Sequence, residues 1–194
     1  NIGIDYSLFD GLLAGNIEIF RDKRTDILVN GNERAVPGYY GAKPAWVNKG
    51  EVETNGYEVE LRFNKTLNNN MRLWANFNMT HAENEILVKD DAPLKPAYQR
   101  AAGYAIGQTH SHLDKGMMQS YDDLYGSPKH NSNDNQKLPG DYYIVDFDGD
   151  GVVNQDDSAP IGYTGTPQNT YNATLGFEYK GFSIFTQFYG VTNV

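Results

Sequence analysis

The chain alternates apolar and polar residues with a period of two along several segments. In one of them Tyr57, Val59, Leu61 and Phe63 share one face, while the residues between them are polar or charged. Successive side chains of a β-strand point to opposite faces, so this alternation indicates strands with one apolar face. The feature predicts an all-β fold.

Three pairs of alternating segments predict three β-hairpins. They cover about residues 2–23, 52–82 and 169–190. Their tight turns are predicted at Asp10-Gly11, Asn68-Asn69 and Lys180-Gly181. Asn, Asp and Gly tolerate the backbone conformations that tight hairpin turns need. The sequence therefore predicts about six antiparallel strands.

Two long connections separate the hairpins, over about residues 24–49 and 82–168. Loops of this length are unusual inside a compact soluble domain, whereas a transmembrane barrel has tight turns on one side and long loops on the other. The alternation alone fits a soluble β-sandwich equally well. The turn asymmetry favours a section of a transmembrane antiparallel β-barrel with long extracellular loops. Six strands are too few to close a barrel, so we expect the chain to be part of a larger protein.

Composition removes several classes of function. The chain has 16 Lys and Arg against 25 Asp and Glu, a net charge of −9, which disfavours binding to nucleic acid. It has no cysteine, which excludes disulfides and thiolate metal sites. Because none of the common catalytic motifs is present, we expect no enzymatic activity. No apolar run is long enough for a transmembrane helix, but a barrel averages lipid-facing and lumen-facing residues and also looks polar.

The segment from Asp146 to Asp157 matches a calcium-loop pattern, D-x-D-x-D-G with a further carboxylate at position 12. Calcium needs several oxygen ligands from a short segment, and alternate acidic residues can point inward together. The candidate ligands are Asp146, Asp148, Asp150, the Val152 carbonyl, Asn154 and Asp157. Position 12 is Asp rather than Glu, as in dockerin-type loops. The alternative is a solvated acidic turn without a metal.

Aromatic residues are numerous in the long connections. The candidates for contact with a ligand or partner are Tyr39, Tyr40, Trp46, Tyr142 and Tyr143. Flat rings beside polar residues suit the binding of sugars or peptides, because they offer apolar area together with hydrogen bonds. The alternative is that these rings pack the loops together or against a partner.

Several segments, in the same order along the chain, resemble the C-terminal barrel region of SusC/RagA-type TonB-dependent transporters of the Bacteroidota outer membrane. One is the strand entry at residues 47–59, which departs from the family pattern at Thr54, where Asn is usual. Another is the block G-D-Y-Y-I-V-D at residues 140–146, followed by D-G-D-G at 148–151 and by Ile161-Gly162. The resemblance spans nearly the whole chain.

The resemblance implies a 22-strand barrel in the outer membrane of a Gram-negative bacterium, of which this chain would supply about six strands. It also implies a plug domain and a TonB-contacting N-terminal region, both absent from this chain, and a SusD-like surface lipoprotein as partner. The implied function is the import of glycan oligomers or peptides, with the apolar strand faces against outer-membrane lipid. The alternative is a secreted soluble β-sandwich that binds a partner and carries a dockerin-like calcium loop.

Overall fold

The computed structural model describes residues 1–68 and 70–194, which form one large sheet and a structured long loop. The strands are β1 (Ile2–Leu8), β2 (Leu13–Val29), β3 (Val47–Asn68), β4 (Met71–Val88), β5 (His110–Ser111), β6 (Asp114–Met117), β7 (Lys129–His130), β8 (Tyr142–Ile144), β9 (Val152–Val153), β10 (Ala159–Pro160), β11 (Asn169–Tyr179) and β12 (Phe182–Thr192). The large sheet has the order β1-β2-β3-β4-β11-β12. The prediction of a six-stranded antiparallel sheet is therefore confirmed.

The sheet consists of three hairpins laid side by side. Leu8 pairs with Leu13 at the first turn, and Tyr179 pairs with Phe182 at the third. At the third turn Lys180 has φ 47° and Gly181 has φ 84°, left-handed values typical of tight hairpin turns. The predicted Asn68-Asn69 turn includes Asn69, which lies outside the described residues.

Near the tight turns, the two faces of the sheet differ in character. Over residues 13–19 of β2 and 57–63 of β3, the odd-numbered residues, such as Ile17 and Val59, pair across the strands and share the apolar face. That face remains open: Ile17 is 44% exposed and Leu175 is 51% exposed. The other strands of the described residues form three two-stranded pairs, so none of them builds a second layer over the large sheet. A β-sandwich would need such a layer, and the soluble alternative is therefore not favoured.

The central strands extend further than apolar alternation alone predicts. β2 continues to Val29, β3 begins at Val47 and β4 ends at Val88. The extensions are polar, and cross-strand ion pairs hold them: Arg21 Nη2 lies 2.7 Å from Glu53 Oε2, and Lys23 Nζ lies 2.9 Å from Glu51 Oε2. The connections between hairpins consequently cover residues 30–46 and 89–168.

Among the residues that the structure describes, helical structure is confined to the connections. These residues include one short helix, α1 (Tyr121–Gly126), and 3-10 turns at Gly31–Glu33, Gly38–Tyr40, Ala97–Gln99, Asp134–Gln136 and Gln155–Asp157. Ser120 begins α1 with a capping box: its side chain accepts the Asp123 N–H, and the Asp123 carboxylate accepts the Ser120 N–H. Within residues 1–68 and 70–194, every helix falls short of the length and apolar character that crossing a bilayer requires.

The second connection has a small core of its own. Met118, Val153 and Ala159 are buried there, whereas the large sheet buries few side chains. Backbone hydrogen bonds between Met118 and the segment at Gly140 and Asp141 close the region around this core. The 89–168 connection is thus a compact structure at the end of the sheet opposite the tight turns.

Candidate cation-binding loop and loop surfaces

The acidic loop, residues 146–157, is shaped first by its own carboxylates. Asp146 accepts the backbone N–H groups of Gly149 and Gly151, each at 2.7 Å. Both glycines have left-handed backbones, with φ 79° and 92°, which side chains rarely permit. The chain therefore turns tightly around the Asp146 carboxylate.

Two further carboxylates shape the same loop by accepting the N–H two residues ahead. Asp148 Oδ1 accepts from Asp150 N at 3.0 Å, and Asp150 Oδ1 accepts from Val152 N at 2.7 Å. These are Asx turns, in which a short acidic side chain replaces a backbone acceptor. They occupy one oxygen of each carboxylate, and the second oxygen of Asp150 accepts from Asn154 Nδ2 at 3.5 Å.

Asp157 closes the loop from inside. It is fully buried. Its Oδ1 accepts the N–H groups of Phe147 at 2.6 Å and Asp148 at 3.2 Å, and its Oδ2 accepts the Asn154 N–H at 2.8 Å. Burial disfavours the charged form, but the three N–H groups outweigh it and hold the pKa of Asp157 below its ordinary value. An ionised carboxylate therefore joins the start of the loop to its end.

The fold gathers three of the six predicted ligands. Asp146, Asp148 and Asp157 each have a carboxylate oxygen within 4.8 Å of the others. Asp150 and Asn154 lie outside this group, and the Asn154 amide donates to the Val152 carbonyl at 3.2 Å. The hydrogen bond from the Asp150 N–H favours the charged form of Asp148. Desolvation and three neighbouring carboxylates outweigh that hydrogen bond and raise the pKa of Asp148. The three gathered carboxylates thus repel one another.

Residues distant in sequence anchor the acidic loop. The Tyr98 hydroxyl donates to the Asp156 carbonyl at 2.7 Å, and Gln99 Nε2 donates to the same oxygen at 2.9 Å. The Tyr98 ring also packs edge to face on Phe147, with centroids 4.8 Å apart. No local pattern in the sequence identifies these partners, because Tyr98 and Gln99 lie 58 and 57 residues before Asp156.

A second anchor comes from the other side of the loop. His112 Nε2 lies 2.7 Å from the Asn154 carbonyl, and because a carbonyl only accepts, this nitrogen carries the proton. β9 also pairs in parallel with β7, where Lys129 lies opposite Val152. The acidic loop is therefore held between two separate segments of the same connection.

The five aromatic candidates occupy different environments. Tyr39 and Tyr40 lie in the first connection and are 91% and 63% exposed. Trp46 and Tyr142 are also exposed. Tyr143 instead donates its hydroxyl to the Gly126 carbonyl at 3.0 Å and has the Lys115 ammonium over its ring, 5.2 Å from the centroid. Four of the five rings are thus available to a ligand or partner, and Tyr143 helps to hold α1.

Asp90 links the first connection to the sheet. It pairs with Arg34 at 3.3 Å and also with Lys49 near the start of β3. The hydrogen bond from Lys49, with the one from Arg34, outweighs desolvation and lowers the pKa of Asp90. A single carboxylate therefore joins residues 30–46 to β3 and to the chain that leaves β4.

Comparisons with known proteins point to one kind of membrane protein. No protein-family model matches the chain. A curated relative, TonB-dependent receptor P39 of Formosa agariphila, is 28% identical over 125 residues, which is 63% of this chain and 12% of that protein. The RagAB peptide importer in its open-open state matches with a TM-score of 0.70 at 15% identity, over 98% of this chain and 20% of that one. Its closed-closed state matches with a TM-score of 0.68 at 17% identity, with the same coverage.

These similarities confirm the resemblance to SusC/RagA-type TonB-dependent transporters. They also confirm the fold class, since nearly the whole chain superposes on a barrel transporter. The chain has the fold of a section of an antiparallel barrel wall, and its six-stranded sheet is open in the described residues. It spans about an eighth of the length of the curated relative.

Proposed function

We propose that this chain is part of an outer-membrane TonB-dependent transporter that imports glycan oligomers or peptides. The observation that carries the proposal is the arrangement of the sheet. One face is mainly apolar and open, the other is mainly polar, and tight turns at one end oppose structured loops at the other. A barrel wall between lipid and an aqueous lumen requires this combination.

The polar face of the sheet would line the lumen. It carries Glu58, Glu60 and Arg62 on β3, and Glu60 pairs with Arg62 at 3.1 Å. Across β11 and β12, Gln187 donates to Asn172 at 3.1 Å. These groups offer hydrogen bonds to a polar solute and to water, which a lipid-facing surface cannot accommodate.

The proposed substrate class depends on the loops rather than on the sheet. RagAB is described as a peptide importer. Similarity at 15–17% identity supports the fold and leaves the choice between peptide and glycan to the loops. Both classes suit the exposed rings of Tyr39, Tyr40 and Trp46, because aromatic faces pack on sugars and on peptide side chains alike.

The test is uptake by cells that carry the full-length transporter. Cells lacking the gene should lose the uptake of one of two ligand classes, fluorescent oligopeptides or fluorescent oligosaccharides. Returning the gene should restore that uptake. Uptake should also disappear when TonB is deleted. Unchanged uptake of both ligand classes without the gene would refute the proposed import.

We further propose a SusD-like surface lipoprotein as partner. We also propose TonB as the energy source, which would be contacted through regions outside this chain. The structured loops at the extracellular end would supply the partner surface. Co-purification of the full-length transporter with a lipoprotein encoded beside it, and loss of that complex after deletion of residues 30–46, would support this. The relatives are named as a receptor and importers, so the absence of enzymatic activity remains our prediction.

The acidic loop is proposed to bind Ca²⁺. The three gathered carboxylates of Asp146, Asp148 and Asp157 repel one another without a cation and offer the hard oxygen ligands that calcium prefers. The anchors from Tyr98 and His112 hold the loop in place, so little ordering would be needed on binding. Bound calcium would stiffen the 140–161 region and preorganise a surface for partner or substrate.

The calcium proposal can be tested by titrating the full-length protein with Tb³⁺ and then with Ca²⁺. Asp148→Asn should weaken binding at least tenfold, whereas Asp122→Asn, which removes the same charge from α1, should leave it unchanged. Equal affinity of both variants, or no luminescence above that of the unfolded protein, would refute a site in this loop.

A further inference from the structure

The chain that leaves β4 forms a closed loop over residues 91–102. The Asp91 carboxylate joins its two ends by accepting the backbone N–H of Ala101 at 3.0 Å. Inside the loop, Arg100 Nε donates to the Lys95 carbonyl at 2.8 Å. The 91–102 loop is therefore held in shape by its own polar side chains, and it presents two cationic groups, the Lys95 ammonium and the Arg100 guanidinium.

A cavity of about 450 Å³ lies between this loop and the end of the acidic loop, and its volume is in the range that small ligands occupy. Lys95 and Arg100 line it from the first loop, and Asp156 lines it from the second. Gln99 connects the two, because its Nε2 donates to the Asp156 carbonyl at 2.9 Å. This space, named here the Lys95–Arg100 cavity, is thus already formed and would need little ordering to accept a ligand.

The two cations of the cavity lack acidic partners. Among residues 1–68 and 70–194, no carboxylate forms an ion pair with Lys95 or Arg100, whereas Lys89 pairs with Glu33 and Lys137 pairs with Asp134. The chain as a whole has a net charge of −9, so two unneutralised cations in one cavity run against its overall charge. Lys95 is also half-buried, and partial removal from water strengthens its attraction for an anion.

We propose that the Lys95–Arg100 cavity binds a carboxylate group of the imported substrate. Lys95 and Arg100 hold the carboxylate; Arg100 Nη1 makes no hydrogen bond within the described residues and is available for it. Asp156 accepts a hydrogen bond from a donor beside that carboxylate, since its own carboxylate has only the Gln99 Nε2 group at 3.4 Å.

Two kinds of substrate offer a carboxylate with a neighbouring donor. The last residue of a peptide carries its carboxylate next to a backbone N–H, and a uronic acid unit of a glycan carries its carboxylate next to hydroxyl groups. The inference rests on the proposed import and narrows its substrate to oligomers that bear a carboxylate.

The test measures binding to the full-length transporter in detergent by fluorescence anisotropy. One probe pair is an alanine oligopeptide, labelled at its N-terminus, with either a free carboxylate or an amide at its C-terminus. The other pair is a labelled galacturonic acid oligomer and its methyl ester. One of the two carboxylate probes should bind about tenfold more tightly than its uncharged counterpart, and the pair that shows this preference identifies the source of the carboxylate.

Lys95→Gln is the decisive variant, because the Lys95 side chain makes no hydrogen bond or ion pair with the described residues and its loss should leave the loop intact. It should reduce the preference for the carboxylate probe about fivefold. Lys129→Gln is the matched control: it removes the same charge from an exposed position in the same connection, outside the cavity, and should leave the preference unchanged. Arg100→Lys keeps the charge but removes the planar guanidinium, and should reduce the preference as well.

Equal binding within both probe pairs would overturn the site, and so would a preference that Lys95→Gln leaves unchanged. The uptake experiment with cells separates this failure from failure of the proposed import. A gene that restores uptake of uncharged oligomers, without any carboxylate preference, would keep the import and remove this site. Unchanged uptake of both ligand classes in cells lacking the gene would refute the import itself, and the inference with it.

Discussion

Replacing Asp157 with Asn should loosen the acidic loop without changing the shape of the side chain. The carboxylate accepts three backbone N–H groups while fully buried. An amide has only one oxygen. If that oxygen keeps the Phe147 and Asp148 N–H groups, the new NH₂ group faces the Asn154 N–H, and two donors oppose each other.

The size of the effect follows from the hydrogen bonds. Losing one bond to a charged acceptor is worth about 1.5–3 kcal/mol, and the two remaining bonds weaken because their acceptor is now neutral. The free energy of opening the loop should therefore fall by about 3 kcal/mol. Because 1.4 kcal/mol corresponds to a factor of ten, the open population should rise roughly 100-fold.

Limited proteolysis of the full-length transporter in chelator-containing buffer measures this opening at residues 141–161. Asp156→Asn is the matched control, since it removes the same charge one residue earlier, at an exposed position whose carboxylate makes only one long hydrogen bond. The cleavage rate should rise roughly 100-fold for Asp157→Asn and less than about threefold for Asp156→Asn.

The same carboxylate predicts a pH dependence. The folded pKa of Asp157 lies below its ordinary value of 3.8, so its stabilisation is complete above that pH and is lost as the pH falls through the folded pKa. The rate at which pepsin cleaves the unsubstituted loop should therefore rise as the pH falls below about 4. The cleavage rate of Asp157→Asn should lack this rise. Equal cleavage of the two Asn variants at neutral pH would refute the structural role of the buried carboxylate.

Three other substitutions test the sheet and its loops. Gly176→Ala would place a Cβ 2.0 Å from the Trp74 ring and should lower the free energy of unfolding by about 1–3 kcal/mol. The control Gly190→Ala, whose new Cβ has its nearest atom at 4.0 Å, should lower it by about 1 kcal/mol or less. Thermal unfolding in detergent measures both, and a Trp74→Ala background should abolish the difference between them. Asp90→Asn should weaken both of its ion pairs and raise proteolysis within residues 30–46 about fivefold, an effect of about 1 kcal/mol. Lys180→Gly should stabilise the third turn by up to about 1 kcal/mol, because Gly adopts φ 47° without strain, and a lower unfolding temperature would contradict this.

The acidic loop illustrates how far a local motif can predict a site. The spacing of Asp146, Asp148 and Asp157 identifies groups that the structure does bring together, because a short segment with two left-handed glycines can turn only tightly. The same spacing cannot show that the Asp157 oxygens are occupied by backbone N–H groups. It also cannot show that Tyr98 and His112 hold the loop, since those contacts depend on how the whole connection folds.

The alternation of residues is enough to predict the six-stranded sheet and the mainly apolar and mainly polar character of its two faces. A period of two assigns each side chain to a face, and tight turns join neighbouring strands whatever surrounds them. It underestimated the polar ends of β2, β3 and β4, because pairs such as Arg21–Glu53 form only when the strands are in register. The folded structure is needed to show that no second layer covers the apolar face in residues 1–68 and 70–194, that β11 lies beside β4, and which loop residues remain exposed. Those properties depend on contacts between segments far apart in the chain, which local patterns do not encode.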